Sequence, residues 1–290
     1  MIEQLRIFGQ QIRVDYREGS GIPLLICNGW GANLETLNPL VDALDNRSIL
    51  RFDVPGVGGS PCPRMPLRIS QIAAIAEQLC QHYALTRIDL AGFSWGGLLA
   101  QEIAKRNPRL VRRLILLATS SGHIMVPADP RILLAFKHPQ WITSLVRPSK
   151  FFEREFLCRV GPALFGGDAL RQNPMSLLPL LRLLKQPSAR AMLWQVAGTI
   201  GWTSLPWLSR LTQPCLIIAG KQDRVINPLN PMLLKRLIRN ARLEWIDGGH
   251  LFPVLDAPQL TALHMLAFLD EHPKVIPLEG RRKQPTRRAS

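Results

Sequence analysis

A chain of 290 residues can bury one substantial core, and 47% hydrophobic with 20% charged residues is a globular composition, not a disordered or fibrous one. The formal net charge is +15, of which +5 lies in residues 274–290 and the rest is dispersed. Without an aromatic-interleaved basic motif this balance argues against a nucleic-acid module and for attraction to an anionic surface.

In chain order, residues 11–16 alternate like a strand, and the apolar run 22–27 predicts a buried strand leading into Asn28-Gly29-Trp30-Gly31. Residues 34–44 read as a helix blemished by Pro39, and 48–52 as a strand entering the turn-rich loop DVPGVGGS. The spacing predicts a helix over 69–83 with Ser70 as N-cap, a strand over 87–93 and a helix over 98–106. Further short strands are expected at 114–118, 215–219 and 243–246, with an amphipathic helix over 258–269. Short apolar strands alternating with helices imply an α/β fold with a mostly parallel sheet covered on both faces. The alternation breaks between 122 and 208, a proline-rich stretch with helix-like pieces at 131–136, 177–184 and 189–196. The expected layout is a core of residues 1–121 and 209–272, a helical cap over 122–208, and a disordered basic tail over 273–290. The competing layout makes 122–208 a separate second domain.

No apolar run reaches the ~18 to 20 residues of a membrane helix, and the N-terminus lacks the pattern of a secretory signal. Five scattered cysteines form no CxxC pair and no metal-ligand spacing. A cytoplasmic protein is therefore expected, with Cys27 and Cys215 as small buried hydrophobes. Neither a metal nor an organic cofactor is expected, because no ligand cluster and no GxGxxG opening a helix is present.

Gly92-Phe93-Ser94-Trp95-Gly96 matches the G-x-S-x-G nucleophile elbow, and it sits between a predicted strand and a predicted helix, as that motif requires. Ser94 is the candidate nucleophile. A serine hydroxyl needs a base. Of the six histidines, His250 is best placed: Asp247-Gly-Gly-His250 follows a strand, and the glycines let the loop reach back over the sheet edge. His82 and His264 lie on predicted helix faces, His272 opens the tail, and His123 and His138 sit in or beside the cap. The orienting carboxylate belongs at a strand end between serine and histidine, which selects Asp223 in AGKQD. Asp247 competes but is expected to shape the histidine loop, and Asp256 breaks the order. Backbone N–H groups of Trp30 and Trp95 are the candidate oxyanion donors.

These residues resemble the α/β-hydrolase family across about 20–270: NGWGAN, DVPGVGGS, GFSWGG, AGKQD and DGGH stand in the family's order. Asn28 is a departure, since many members carry histidine there. Within the family, NGWGANLETLNPLVDAL, FDVPGVGGS, GHIMVP, AGTIGWTSLPWL and DGGHLFPV resemble intracellular depolymerases of medium-chain poly(3-hydroxyalkanoate). The resemblance implies an α/β-hydrolase fold, cleavage of ester bonds in a storage polyester at its granule surface, and Ser94, Asp223 and His250 as nucleophile, acid and base. Alternatives are a generic carboxylesterase or lipase, an acyltransferase passing a 3-hydroxyacyl group to another alcohol, and a non-catalytic binding protein. A haloalkane dehalogenase is excluded, because it needs a carboxylate at position 94. The predicted cap holds Trp141, Trp194, Trp202 and Trp207, with Trp202 and Trp207 the first candidates for substrate binding. Against that stands simple filling of the space between cap and sheet.

Overall fold

A computed structural model describes residues 1–122, 124–128, 161–162, 165–185 and 187–271. Among them, eight strands form one sheet in the order β1-β2-β4-β3-β5-β6-β7-β8. β1 (Ile2–Ile7) and β2 (Gln10–Arg17) form an antiparallel hairpin, and β2 runs antiparallel to β4 (Arg47–Phe52). All other neighbours are parallel: β3 (Ser20–Cys27), β5 (Ile88–Phe93), β6 (Val111–Leu117), β7 (Cys215–Gly220) and β8 (Ala241–Ile246). The hairpin turns at Phe8 and Gly9 with φ of 47° and 76°, the pair of positive values a two-residue turn between twisted strands needs. β1 was not expected from the sequence. It is a half-exposed edge strand, with too little apolar alternation to stand out.

The central strands are buried on both faces, and their side chains alternate between two cores. Leu25, Leu90, Leu114, Leu116 and Ile217 pack under α2 (Ile69–His82) and α3 (Trp95–Arg106). Leu24, Ile26, Ile115, Leu117 and Ile218 pack under α1 (Asn38–Ala43) and α8 (Pro258–Leu269). Each fully buried side chain of this kind contributes about 1.5–3 kcal/mol. Cys27 and Cys215 lie in these cores, where burial pushes their thiols up, far from the reactive thiolate range.

Between β6 and β7 the described chain carries α4 (Asp168–Gln172), α5 (Leu177–Leu183) and α6 (Ala189–Ala197). α7 (Leu229–Leu237), between β7 and β8, was not expected. The expected helix at 131–136, Trp141, Cys158, His123, His138, His272 and the basic tail fall outside the described residues.

Three local expectations are corrected. The single helix over 34–44 is a 3-10 turn, Leu34–Leu37, followed by α1, because Pro39 cannot donate to a continuous ladder and instead occupies the first turn of α1. Ser70 lies inside α2; the N-cap is Arg68, whose backbone N–H donates to Gln71 Oε1 at 2.8 Å. α8 is not amphipathic, since Leu260 and Leu263 are exposed on its outer side.

The turn after β4 is organised by charge. Buried Asp53 accepts the N–H groups of Leu34 and Gly59, each at 2.8 Å, and Arg13 bridges it to Glu35. The Arg13 hydrogen bond lowers the Glu35 carboxyl from 4.5 to about 2, whereas burial raises that of Asp53. A carboxylate with a depressed folded pKa stabilises above its unfolded value and loses that contribution as pH falls through the folded one. Glu35→Gln should therefore destabilise the protein near neutral pH by about 1 kcal/mol, the pair being partly solvated. The deficit should vanish between pH 4.5 and about 2. Asp53 acts in the opposite sense but is shared by both proteins, so a denaturant midpoint difference that stays constant across this window refutes the assignment.

Candidate active site

β5 ends at Phe93 and α3 begins at Trp95, so Ser94 alone makes the turn, with φ 52° and ψ −117°. A non-glycine residue holds that conformation only where its surroundings enforce it. The Ser94 N–H donates to the Leu117 carbonyl at 2.9 Å, and Thr119 Oγ1 donates to the Ser94 carbonyl at 2.7 Å. A Cβ on Gly92 would strike the Gly96 carbonyl, and one on Gly96 would strike the carbonyls of Cys27 and Asn28. Gly97, which the motif does not include, is equally constrained by Thr119.

The loop after β8 carries His250 back over the sheet. Its Nε2 lies 3.0 Å from Ser94 Oγ, and its Nδ1 lies 2.9 Å from Asp223 Oδ2. Asp223 follows β7, and its other oxygen accepts the N–H groups of Val225 at 2.9 Å and Ile226 at 2.8 Å. Both side chains are buried, which fixes the carboxylate and ring against each other. Ser94, His250 and Asp223, far apart in sequence, thus form one hydrogen-bonded chain.

The other two carboxylates fall elsewhere. Asp247 is 80% exposed and pairs with Lys221 at 2.8 Å. The loop-shaping role expected of Asp247 belongs to Asp256, whose Oδ2 accepts the Gly249 N–H at 2.8 Å. Burial raises the Asp256 carboxyl, and Oδ1 has no partner among the described residues. The His250 N–H is held by the Phe165 carbonyl at 2.7 Å, a contact that no sequence motif signals.

The loop after β3 lies over the serine, with Gly29 against Phe93 and Ser94. Asn28 organises it: Oδ1 accepts the Gly29 N–H at 2.7 Å, while Nδ2 donates to the Asn33 carbonyl at 2.7 Å and to Thr36 Oγ1 at 2.8 Å. A buried asparagine therefore spans the loop where many α/β hydrolases place histidine. Trp30 stands in this loop with a half-exposed indole. The Trp95 N–H opens α3, where no acceptor within the helix can reach it, and its indole is buried.

A cavity of about 260 Å³ adjoins Ser94. Leu98, Met125 and Ile226 form its apolar lining, and Thr119, Ser120 and Thr199 add hydroxyl-bearing side chains. Of this lining only Ser94 and Trp95 were singled out from the sequence as site residues. Gly122, Met125 and Thr199 fall in the segments GHIMVP and AGTIGWTSLPWL, and Leu98 on α3, Thr119 and Ser120 after β6 and Ile226 after β7 carry no motif. Trp202 and Trp207 are not part of the lining. Trp202 Nε1 donates to Glu102 Oε2 on α3 at 3.0 Å, the two rings meet edge to face at 6.0 Å, and Lys105 Nζ sits 4.8 Å over Trp207. The structure brings this pair to the flank of α3 rather than to Ser94. A larger open cavity of about 710 Å³, beside Leu85, Arg106 and Arg109, contains none of these residues.

An eight-stranded, mostly parallel sheet with a serine on a strained strand-to-helix turn matches one known architecture. Residues 22–257 match the family model for the α/β hydrolase fold. The chain belongs to the α/β-hydrolase family. It is 34% identical over 270 residues to a poly(3-hydroxyalkanoate) depolymerase of Ectopseudomonas oleovorans, covering 92% of each chain. Among solved α/β hydrolases, its fold is similar to the enol-lactonase of Burkholderia xenovorans LB400, with TM-score 0.77 and 20% identity over 93% of this chain and 100% of that one. A hydrolase of Pseudomonas aeruginosa PA01 is as similar, with TM-score 0.76 and 22% identity over 93% and 98% of the two chains. This α/β hydrolase is an ester hydrolase.

Proposed function

We infer that the protein is a serine hydrolase that cleaves the ester bonds of a hydrophobic polyester, acting as an intracellular poly(3-hydroxyalkanoate) depolymerase that releases 3-hydroxyalkanoic acids. The observation that carries the chemistry is the chain from Ser94 Oγ through His250 to Asp223, with contacts of 3.0 and 2.9 Å. His250 Nε2 takes the hydroxyl proton as Ser94 Oγ bonds to the ester carbonyl carbon, and Asp223 holds the ring with Nδ1–H toward itself. Backbone N–H groups of Trp30 and Trp95 stabilise the oxyanion. Collapse of this intermediate breaks the ester C–O bond, and His250 returns the proton to the departing alcohol, leaving an acyl-Ser94. Water, deprotonated by His250, then releases the acid and restores the serine.

The polyester assignment is supported by the depolymerase relative, whose similarity spans nearly the whole chain, and by the apolar lining of the cavity beside Ser94. It carries with it a cytoplasmic location at the storage granule, and the residues inserted between β6 and β7 as a cap. Incubation with granules of medium-chain polyester should release 3-hydroxy acids, with Ser94→Ala releasing none. An enzyme that cleaves a short soluble ester but liberates no acid from granules would retain the hydrolase chemistry and lose the polymer.

A further inference from the structure

Helix α6 turns the wrong face outward. Ala191 and Gln195 are buried beneath it, and so is Thr199 just beyond its end. Leu193, Val196 and Ile200, at three- and four-residue spacing, form a stripe that is 63%, 40% and 72% exposed. A surface helix ordinarily hides that stripe and exposes the polar one. The apolar surface also extends beyond the helix. Trp194 Nε1 donates to the Pro63 carbonyl at 3.2 Å and Ile69 N–H to the Gly198 carbonyl at 3.0 Å, so residues 63–69 run alongside, with Met65 71% exposed. Trp30 joins from the other side through Nε1 and the Met192 carbonyl at 3.1 Å.

The flank of this patch is cationic. Arg64, Arg68 and Arg190 are exposed, and among the described residues none of them has an ion pair. An apolar stripe bordered by exposed arginines is the arrangement that lies in an anionic lipid interface, with alkyl side chains below the headgroups and guanidinium groups among them. A second copy of the chain fits less well, because a two-fold contact would join two like-charged patches: residues 63–69 and 189–200 carry arginines and no acidic side chain. The inner side of α6 reaches the site: Gln195 Oε1 accepts the Gly31 N–H at 2.8 Å, in the loop that Gly29 lays over Ser94.

We propose that α6 and residues 63–69 form an interfacial surface that docks the opening of the site on an anionic lipid layer. The stripe enters the headgroup boundary, the arginines meet the lipid anions, and the loop over Ser94 lies at the edge of that contact. Docking uses neither Ser94 nor a polymer, so it stands or falls separately from the depolymerase reading.

The test is co-sedimentation of the full chain with phosphatidylcholine vesicles, with and without phosphatidylglycerol, repeated with Ser94→Ala. Both proteins should bind the anionic vesicles at least about tenfold more tightly than the neutral ones and lose this preference at high salt. The double variant Leu193→Ser/Ile200→Ser should bind at least about tenfold more weakly. Arg64→Gln/Arg68→Gln/Arg190→Gln should weaken binding by roughly fivefold per charge. Both variants keep the basic residues 274–290, so the loss reads the surface of α6 and residues 63–69 and not the C-terminal charge, and both should cleave a soluble short ester at the wild-type rate. Wild-type protein that ignores anionic vesicles overturns the proposal, as do variants that bind like wild type. A dimer in solution that dissociates on Leu193→Ser/Ile200→Ser would assign the stripe to a second copy. Salt-insensitive binding to uncharged polyester particles, as tight as to anionic vesicles, would assign it to polymer.

Discussion

Ser94→Ala should reduce kcat on any ester by at least about three orders of magnitude while leaving the fold intact. The loss is large on the proposed mechanism because alanine removes the hydroxyl that would form the acyl-enzyme, and His250 Nε2, 3.0 Å away, would then have no proton to take. The fold should survive. The turn at residue 94 is held by backbone bonds, the Ser94 N–H to the Leu117 carbonyl and Thr119 Oγ1 to the Ser94 carbonyl, which alanine keeps. Its positive φ is a cost that serine and alanine share. Single-turnover kinetics on a chromogenic ester, beside circular dichroism and a melting curve, separate the two effects. A folded variant with near-wild-type turnover would remove Ser94 from the chemistry.

The second large effect distinguishes two aspartates close to the histidine. Asp223→Asn should lower kcat by about four orders of magnitude, because an amide facing Nδ1 favours the tautomer that puts the proton on Nε2, where it cannot accept from serine. The local fold should again persist, since an amide oxygen can still accept the Val225 and Ile226 N–H groups that Asp223 Oδ1 holds. Asp247→Asn should leave kcat within about twofold, because its exposed pair with Lys221 resembles surface ion pairs worth little. Steady-state kinetics with both proteins on one soluble ester decides the matter. The opposite ranking would transfer the orienting role to Asp247 and require a different loop arrangement in solution.

Much of the site was legible because its local turn chemistry is severe. Only glycine can stand at positions 92 and 96, where a side chain would enter the carbonyls of the facing segment, so the elbow leaves a mark in the sequence. The same holds for the strand runs: Leu24 to Cys27 feed two cores at once, which demands an uninterrupted apolar stretch. From such stretches the parallel sheet, the order Ser94, Asp223, His250 and the α/β class follow without coordinates.

What the sequence could not determine depends on which chain segments meet. In one dimension Asp247, three residues before His250, is the more natural residue to shape its loop, and Asp256 stands out in nothing. Only the path of the loop puts Asp256 on the Gly249 N–H and leaves Asp247 in solvent on Lys221. Composition could say that tryptophans were abundant around residues 194–207, but not which way they pointed. Trp202 and Trp207 close on Glu102 and Lys105 of α3, because an indole N–H needs an acceptor and a ring accepts a cation. The outward stripe of α6 was hidden for a related reason. Periodicity marks a face as apolar, but burial is a property of the neighbours that cover it, and these are chosen by contacts distant in sequence. The residues alone determined the parallel part of the sheet, the elbow and the chemical class of the three candidate groups. The tertiary structure decided which carboxylates, indoles and apolar faces surround them, because each of those choices is a contact between segments that no local pattern connects.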